Sequence, residues 1–103
     1  MNKQIEIITI CGSMRFSKEI MKVSAELETE KGLCVLQPVY NISDRIYSES
    51  EIENLRIAHF KKIDISDAIY VVNVDGYVGE SVAREIEYAK KHNKIVLYMV
   101  KQK

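Results

Sequence analysis

The chain has 103 residues, enough for one domain spanning residues 1–103 around a single hydrophobic core. Fifteen basic residues balance fifteen acidic ones, so the net charge of zero argues against binding a nucleic acid polymer through phosphate neutralisation. The apolar runs are too short to cross a bilayer, and the first residues lack a signal-peptide pattern. We therefore expect no membrane association, and two cysteines without an export signal predict a reducing, cytoplasmic location.

Predicted strands and helices alternate along the chain. The apolar runs at 5–10, 33–37, 68–74 and 95–100 are nearly continuous, which is typical of strands covered on both faces in a parallel sheet. Amphipathic patterns predict helices over 17–31, 50–64 and 80–92; Gly32 ends the first, and a capping box of Ser50 and Glu53 begins the second. The order βαβαβαβ predicts an α/β fold, a three-layer, Rossmann-like (flavodoxin-like) doubly wound sheet of four parallel strands in order 2-1-3-4.

This topology also predicts where a ligand binds. Open parallel sheets bind ligands beyond the carboxyl ends of the strands, here at the switch point between strands 1 and 3, where segments 11–16, 37–50 and 75–81 meet. Gly12 allows close backbone approach, and Ser13 and Arg15 can hold a phosphate or a sugar hydroxyl near a helix N-terminus. The alternative is a plain turn with Arg15 in solvent. The pattern is neither a dinucleotide fingerprint nor a P-loop.

The segment 75–81 adds four candidates for ligand binding. Asp75 follows strand 3 on the ligand side, and Tyr77 can stack on a ring from a loop that two glycines keep tight. Gly79 and Ser81 offer a backbone donor and a hydroxyl donor where the last helix begins. We therefore expect this loop to form one side of the ligand site.

Glu85 is the most informative carboxylate in the sequence. Val82, Ile86 and Ala89 define the inward stripe of the last helix, and Glu85 falls at the edge of that stripe. A carboxylate turned towards an apolar core is costly unless it is paired. Glu85 is therefore either half of a structural salt bridge or a catalytic group.

His59 is the second candidate catalytic side chain. It lies within the inward stripe predicted for the second helix, which is formed by Ile52, Leu55 and Ile63. A histidine on an apolar face is more often a satisfied core residue than a catalytic one. Both interpretations stay open, and the catalytic one requires the second helix to pack along the ligand site.

The sequence predicts no disulfide, no metal and no cofactor. Cys11 stands at the carboxyl end of strand 1 and Cys34 at the amino end of strand 2, so neighbouring parallel strands hold the two thiols apart. No histidine stands at a spacing that would mark Cys11 as a nucleophile. Spacings typical of metal ligands are also absent from the sequence, so we expect no bound metal ion.

Two segments resemble the nucleoside 2-deoxyribosyltransferase superfamily, which includes the 2'-deoxynucleoside 5'-phosphate N-hydrolases. Cys-Gly-Ser-Met-Arg at 11–15 is similar to the hydrolases' Cys-Gly-Ser-Ile-Arg. Glu-Ile-Glu-Tyr-Ala at 85–89, followed by Asn-Lys-Ile at 93–95, is similar to the family's nucleophile helix and the strand after it. The resemblance implies that Glu85 attacks C1' of a deoxyribose and displaces the base. The family commonly has an aspartate 26 residues before the nucleophile, and His59 stands at that position here.

The resemblance implies an N-glycosidic-bond enzyme that acts on deoxynucleosides or their 5'-monophosphates by transfer or hydrolysis. The expected catalytic residues are Glu85 and His59, and the expected substrate-binding residues are Gly12, Ser13, Arg15, Asp75, Tyr77, Gly79 and Ser81. The alternatives are a non-catalytic nucleotide-binding or sensing module with the same fold and a small interaction domain. We expect a homodimer, because so small a sheet gains stability by burying a helical face between subunits.

Overall fold

Four strands and three helices alternate along residues 4–101, the part of the chain that the computed structural model describes. They are β1 (Ile7–Gly12), α1 (Ser17–Lys31), β2 (Cys34–Leu36), α2 (Glu49–Ile65), β3 (Ala68–Val72), α3 (Glu80–Lys91) and β4 (Ile95–Tyr98). Short 3-10 turns, Met14–Phe16 and Val74–Gly76, lie before α1 and α3. The strands are parallel in the order β2-β1-β3-β4, which confirms the predicted α/β fold and the strand order 2-1-3-4.

The sheet lies between two helical layers, because successive residues of each strand face opposite sides. α1 covers one face, where the buried residues are Ile8, Ile10, Ile20, Val23, Val35, Ala68 and Val72. α2 and α3 cover the other face, where they are Cys11, Ile63, Ile69, Val71, Val82 and Ala89. This arrangement confirms the predicted three-layer architecture, and it turns Cys11 towards α2 and α3.

β1 begins and ends two residues later than predicted. At its start the Asp67 carboxylate accepts the N–H groups of Glu6 and Ile7, so these donors bond a side chain instead of a second strand. At its end Cys11 and Gly12 pair with the last residues of β3 and so belong to the strand. The longer strand carries Cys11 to the carboxyl edge of the sheet.

β3 and β4 each end two residues earlier than predicted, and the Asn73 side chain is the reason. Asn73 is fully buried. Its Nδ2 donates to the Val100 carbonyl at 2.9 Å, and its Oδ1 accepts the Val100 N–H at 2.8 Å. A side-chain amide thus replaces backbone pairing beyond the two strands. β2 is also shorter than predicted, by one residue at each end.

Helix α2 begins one residue before the predicted start, and the predicted capping box was wrong by two residues. Ser48 accepts the N–H of Glu51, and the Glu51 carboxylate accepts the N–H of Ser48, which completes the box. Glu53, the predicted partner of Ser50, instead accepts two hydrogen bonds from Arg56. Each glutamate bonds an arginine, since Arg45 bonds Glu51, so the reciprocal bonds of Ser48 and Glu51 alone mark which of the two overlapping serine–glutamate patterns caps the helix.

The predicted inward stripe is confirmed for α3 but only in part for α2. Val82 and Ala89 of α3 are buried, as predicted. In α2 Ile63 is fully buried, whereas Ile52 is 56% exposed because the amino half of the helix borders a cleft instead of the sheet. Among the helices of residues 4–101, none combines the length and the apolar character needed to cross a bilayer.

Candidate active site at the carboxyl edge of the sheet

Three side chains from three elements converge at the carboxyl edge of the sheet. Cys11 is the next-to-last residue of β1, and strand alternation turns it towards α2 and α3. His59 comes from α2 and Glu85 from α3. Cys11 is fully buried, and the side chains of His59 and Glu85 are 12% and 18% exposed. We call these three residues the Cys11–His59–Glu85 cluster.

One ring nitrogen of His59 contacts both other members of the cluster. Nε2 lies 3.5 Å from the Cys11 Sγ and 3.4 Å from the Glu85 Oε1. A catalytic triad uses both ring nitrogens, one for the nucleophile and the other for the carboxylate. Because a single nitrogen meets both groups here, His59 does not link Glu85 to Cys11 as a proton relay.

The environment of the Cys11 thiol is not that of a nucleophile. Burial raises the pKa of this thiol well above its ordinary value, and the negative charge of Glu85 raises the pKa further. The Sγ atom lies 3.5 Å from the His59 Nε2 and within 4.8 Å of the Glu85 carboxylate. Reactive cysteines need the opposite environment, one that stabilises the thiolate. Cys11 is therefore a neighbour of Glu85 and not an alternative nucleophile.

The second cysteine is remote from the cluster, as the sequence predicts. Cys34 begins β2 and pairs with Ile7, four residues before Cys11 on β1. Four residues of a strand span about 13 Å, which is too far for a disulfide. Both cysteines are free, and Cys34 is exposed. Cys34 is therefore a natural control for experiments on Cys11.

Two clefts meet at Glu85. The apolar cleft, of about 360 Å³, lies against α2, and its walls include Pro38, Val39, Ile52, Leu55 and His59. The polar cleft, of about 390 Å³, lies at the start of α3, and its walls include Ser13, Tyr77, Gly79, Glu80 and Ser81. Four residues line both clefts, namely Gly12, Met14, Ser81 and Glu85. The Glu85 carboxylate thus lies at a junction between an apolar and a polar surface.

The structure brings most of the predicted site residues to these clefts and leaves two outside. Those on the cleft walls are Glu85, His59, Gly12, Ser13, Tyr77, Gly79 and Ser81. Asp75 is exposed in the turn Val74–Gly76, where the backbone takes a left-handed φ of 55°. Arg15 is also exposed and lies outside both clefts. Chain position alone had suggested a direct role for these two side chains.

Arg15 contacts the polar cleft through Tyr77. Its guanidinium carbon lies 4.3 Å from the centre of the Tyr77 ring, and Phe16 meets the same ring edge-on with centroids 5.9 Å apart. Ser13 holds the turn before α1 by accepting the Arg15 N–H at 3.3 Å. Tyr77 therefore joins the β1–α1 connection to the β3–α3 connection and forms one wall of the cleft.

Gly12 has no space for a side chain, for a reason that the sequence did not reveal. A Cβ at this position would lie 3.1 Å from the Ile20 Cδ1 and 3.2 Å from the Val72 carbonyl oxygen. Both distances are shorter than ordinary contacts of about 3.5–4.0 Å. The sequence predicted that a ligand approaches the backbone closely at Gly12. The structure shows that α1 and β3 also pack closely against this residue.

Sequence analysis missed Cys11 as a partner of Glu85. Residues 11, 59 and 85 are 48 and 26 positions apart, so no local motif contains them. The sequence holds one partial signal, strand parity, which places Cys11 on the same face of β1 as Thr9. Only the structure shows that this face is the one towards α2, where Thr9 bonds Ser66. The meeting of Cys11 with α2 and α3 therefore depends on which face of the sheet those helices cover.

Comparison with known proteins adds no family assignment. No protein-family model matches the chain, and no curated protein matches it significantly. The geometry of the cluster and of the two clefts therefore carries the functional argument, together with the motifs in the chain itself.

Proposed function

We propose that the chain is an N-glycosidic-bond enzyme of the nucleoside 2-deoxyribosyltransferase superfamily, acting on deoxynucleosides or their 5'-monophosphates. The observation that carries this proposal is the Glu85 carboxylate, which is 18% exposed and lies where the apolar and polar clefts meet. The resemblance of residues 11–15 and 85–89 to that superfamily supports it. The proposed reaction uses a carboxylate, a proton donor and an acceptor nucleophile, and so it needs no cofactor.

One cleft is apolar and the other polar, just as the base of a nucleoside is flat and largely apolar and its sugar is polar. The apolar cleft offers side chains such as Ile52 and Leu55 to a flat base. The polar cleft offers the hydroxyls of Ser13 and Ser81 and the N-terminus of α3, where no side chain of the described residues caps the helix. A deoxyribose, with or without a 5'-phosphate, suits the polar cleft. The glycosidic bond between the two halves then falls beside Glu85.

The chemistry proceeds in two displacements at C1'. A Glu85 oxygen attacks C1', and the C1'–N bond breaks with its electron pair leaving on the base, which takes up a proton. Water or a second base then attacks C1' of the glycosyl–Glu85 ester and restores the free carboxylate. Water gives hydrolysis, whereas a second base gives transfer.

His59 is the residue proposed to assist both displacements. Its Nε2, 3.4 Å from Glu85, helps to orient the carboxylate, while the Cys11 thiol lies 3.5 Å from the same nitrogen on the sheet side. The ring also lines the apolar cleft, where the leaving base would lie. A protonated His59 can therefore donate the proton that the base needs.

The test of this proposal is base release, followed by chromatography after incubation with deoxynucleosides and with their 5'-monophosphates. The native protein should release base, and Glu85→Gln should slow release by at least about a thousandfold, because an amide is a poor nucleophile. Glu87→Gln is the matched control, since Glu87 is exposed two residues later on the same helix. No release by the native protein, or equal release by Glu85→Gln, would refute the proposal.

A non-catalytic nucleotide-binding module is the second candidate function. The feature that favours it is His59, which stands where the superfamily commonly has an aspartate. A thermal-shift screen against deoxynucleotides separates the two, because a ligand at a hundred times its Kd stabilises the fold by about 2.7 kcal/mol whether or not it is cleaved. Stabilisation without base release supports the module, and no stabilisation by any nucleotide contradicts it.

We also propose that the chain forms a homodimer through α2 and the connection before it. Apolar side chains on this surface are between 56% and 94% exposed, namely Ile42, Ile46 and Ile52. Burying such side chains between subunits removes apolar area from water at about 25 cal/mol per Å². The same surface borders the apolar cleft, so the partner subunit would lie close to the proposed base site.

A further inference from the structure

The Cys11–His59–Glu85 cluster also has the composition of a metal site. Its sulfur, its imidazole nitrogen and a carboxylate oxygen lie within 4.8 Å of one another. We propose that this cluster binds one Zn²⁺ ion through Cys11, His59 and Glu85, with the fourth coordination position open to the apolar cleft. This proposal goes beyond the proposed reaction, because it assigns a second occupant to the same carboxylate.

Two of the three distances within the cluster match the edges of a zinc tetrahedron. Bonds of about 2.3 Å to a thiolate and about 2.0–2.2 Å to imidazole and carboxylate, at tetrahedral angles, place S and N about 3.6 Å apart and N and O about 3.4 Å apart. The structure has 3.5 Å from Cys11 Sγ to His59 Nε2 and 3.4 Å from that nitrogen to Glu85 Oε1. The third edge, from Cys11 Sγ to the Glu85 carboxylate, lies within 4.8 Å, against about 3.6 Å in a zinc tetrahedron, so an ion can bond all three atoms if side-chain rotation shortens this edge.

The donor set selects zinc over the hard cations. Mg²⁺ and Ca²⁺ prefer shells of oxygen ligands, and this cluster supplies a single carboxylate. A thiolate and an imidazole beside one carboxylate, in tetrahedral arrangement, suit Zn²⁺. Three protein ligands with one open position are also the usual number where zinc stays accessible to small molecules.

The charges of the proposed site balance. When the Zn–S bond forms, the Cys11 thiol loses its proton to solvent, so the thiolate and the Glu85 carboxylate together carry two negative charges that Zn²⁺ neutralises. The two cations on the same cleft wall are bound elsewhere. Arg56 bonds Glu53, and the Lys62 ammonium donates to the Gln37 carbonyl. Neither cation occupies the position that the metal would take.

Zinc and substrate would compete for one group. A carboxylate that bonds Zn²⁺ shares its negative charge with the metal and is a weaker nucleophile, and the ion occupies space beside Glu85, so the two uses of Glu85 oppose each other. Zinc therefore acts as a reversible inhibitor of base release, and this consequence rests on the proposed function. The binding itself does not.

The binding is tested on the reduced, chelator-treated full chain by titration with Co²⁺ and by competition between the protein and a chromophoric chelator for Zn²⁺. We expect a thiolate-to-cobalt charge-transfer absorption that saturates at one equivalent. Cys34→Ser is the matched control and should keep the absorption, whereas Cys11→Ser should lose it while circular dichroism reports an unchanged fold. No absorption with the native chain, or loss with Cys34→Ser and not with Cys11→Ser, would overturn the proposal.

Two further variants keep the test decisive if Cys11→Ser does not fold. Glu85→Gln and His59→Asn retain the thiol, and each should weaken Zn²⁺ binding by at least about tenfold, because even ligand-supporting residues commonly contribute that much. Unchanged Zn²⁺ affinity in both variants would overturn the site. Base release measured with and without Zn²⁺ then separates the two proposals. If the chain binds zinc but never releases base, only the proposed function is refuted. If it releases base but binds no zinc, only the metal site is refuted.

Discussion

Substituting Gly12 with alanine tests whether packing or ligand approach requires a glycine at the end of β1. The new Cβ would lie 3.1 Å from Ile20 Cδ1, 3.2 Å from the Val72 carbonyl oxygen and 3.3 Å from Val72 Cβ. The Ile20 methyl group is the end of a side chain and can move. The Val72 oxygen belongs to the backbone of β3, which pairs with Gly12 itself, so relief there requires movement of the sheet.

The expected magnitude follows from this crowding. Extra methyl groups in a filled core cost roughly 1–3 kcal/mol, so Gly12→Ala should lower the free energy of unfolding by that amount. Ile20→Val removes the crowded Cδ1 atom and should cost about 1 kcal/mol in the native chain. In the Gly12→Ala background Ile20→Val should cost less, and the two substitutions should couple by more than about 0.5 kcal/mol.

The assay is urea unfolding followed by circular dichroism on the four members of this cycle. Gly79→Ala is the matched control, because its nearest contact is the hydroxyl of Tyr77 at 3.2 Å, the far end of a side chain. Because Gly79 is the N-cap of α3, we expect Gly79→Ala to cost no more than about 1 kcal/mol and to show no coupling with Ile20→Val. If Gly12→Ala is as stable as the native chain but loses nucleotide binding, the packing argument is wrong and the glycine serves a ligand.

Four further predictions concern α2, the two thiols, the pH dependence of stability and the subunit contact. Ser48→Ala should lower the free energy of unfolding in urea by about 1 kcal/mol, whereas Ser50→Ala should change it by less than about 0.5 kcal/mol. A larger loss with Ser50→Ala than with Ser48→Ala would show that Ser50, and not Ser48, caps the helix. At neutral pH a thiol reagent should modify Cys34 rapidly and Cys11 only after unfolding, so two rapid equivalents would contradict the buried thiol. Folding raises the pKa of Cys11, so the unfolded chain ionises first and the folded chain should lose stability as the pH rises above the ordinary range of a thiol. Light scattering should give twice the mass of one chain, and Ile46→Asp should give the mass of one chain; a monomeric native protein would reject the dimer.

The fold was predictable because it depends on patterns that repeat along the chain. Continuous apolar runs identify buried parallel strands, and their alternation with amphipathic segments leaves few strand orders. The ends of elements were less predictable, because single side chains decide them. Asn73 ends two strands through a contact with Val100, 27 residues away, which has no local signature in the sequence. The capping box has one, but the sequence carries it twice, at Ser48 with Glu51 and at Ser50 with Glu53, and only the structure shows which pair forms it.

The candidate site was predictable where it depends on one helix and not where it depends on several elements. The partly buried position of Glu85 follows from helical periodicity alone, and the structure confirms it. The meeting of Cys11 with His59 requires the register of β1 and the packing of α2, which lie 48 residues apart in the chain. The position of Asp75 depends on a left-handed turn that residue type alone does not specify.

The packing of Tyr77 has a consequence for how this sequence can change over time. Its ring takes the guanidinium of Arg15 on its face and the edge of Phe16, so two loops that are distant in the chain share one interlocked surface. Replacing Tyr77 by a non-aromatic residue would leave the Arg15 guanidinium without its ring contact, and replacing Arg15 would expose the face of the Tyr77 ring. Among descendants of this chain, positions 15 and 77 should therefore be replaced in concert, and the two loops should evolve as one unit.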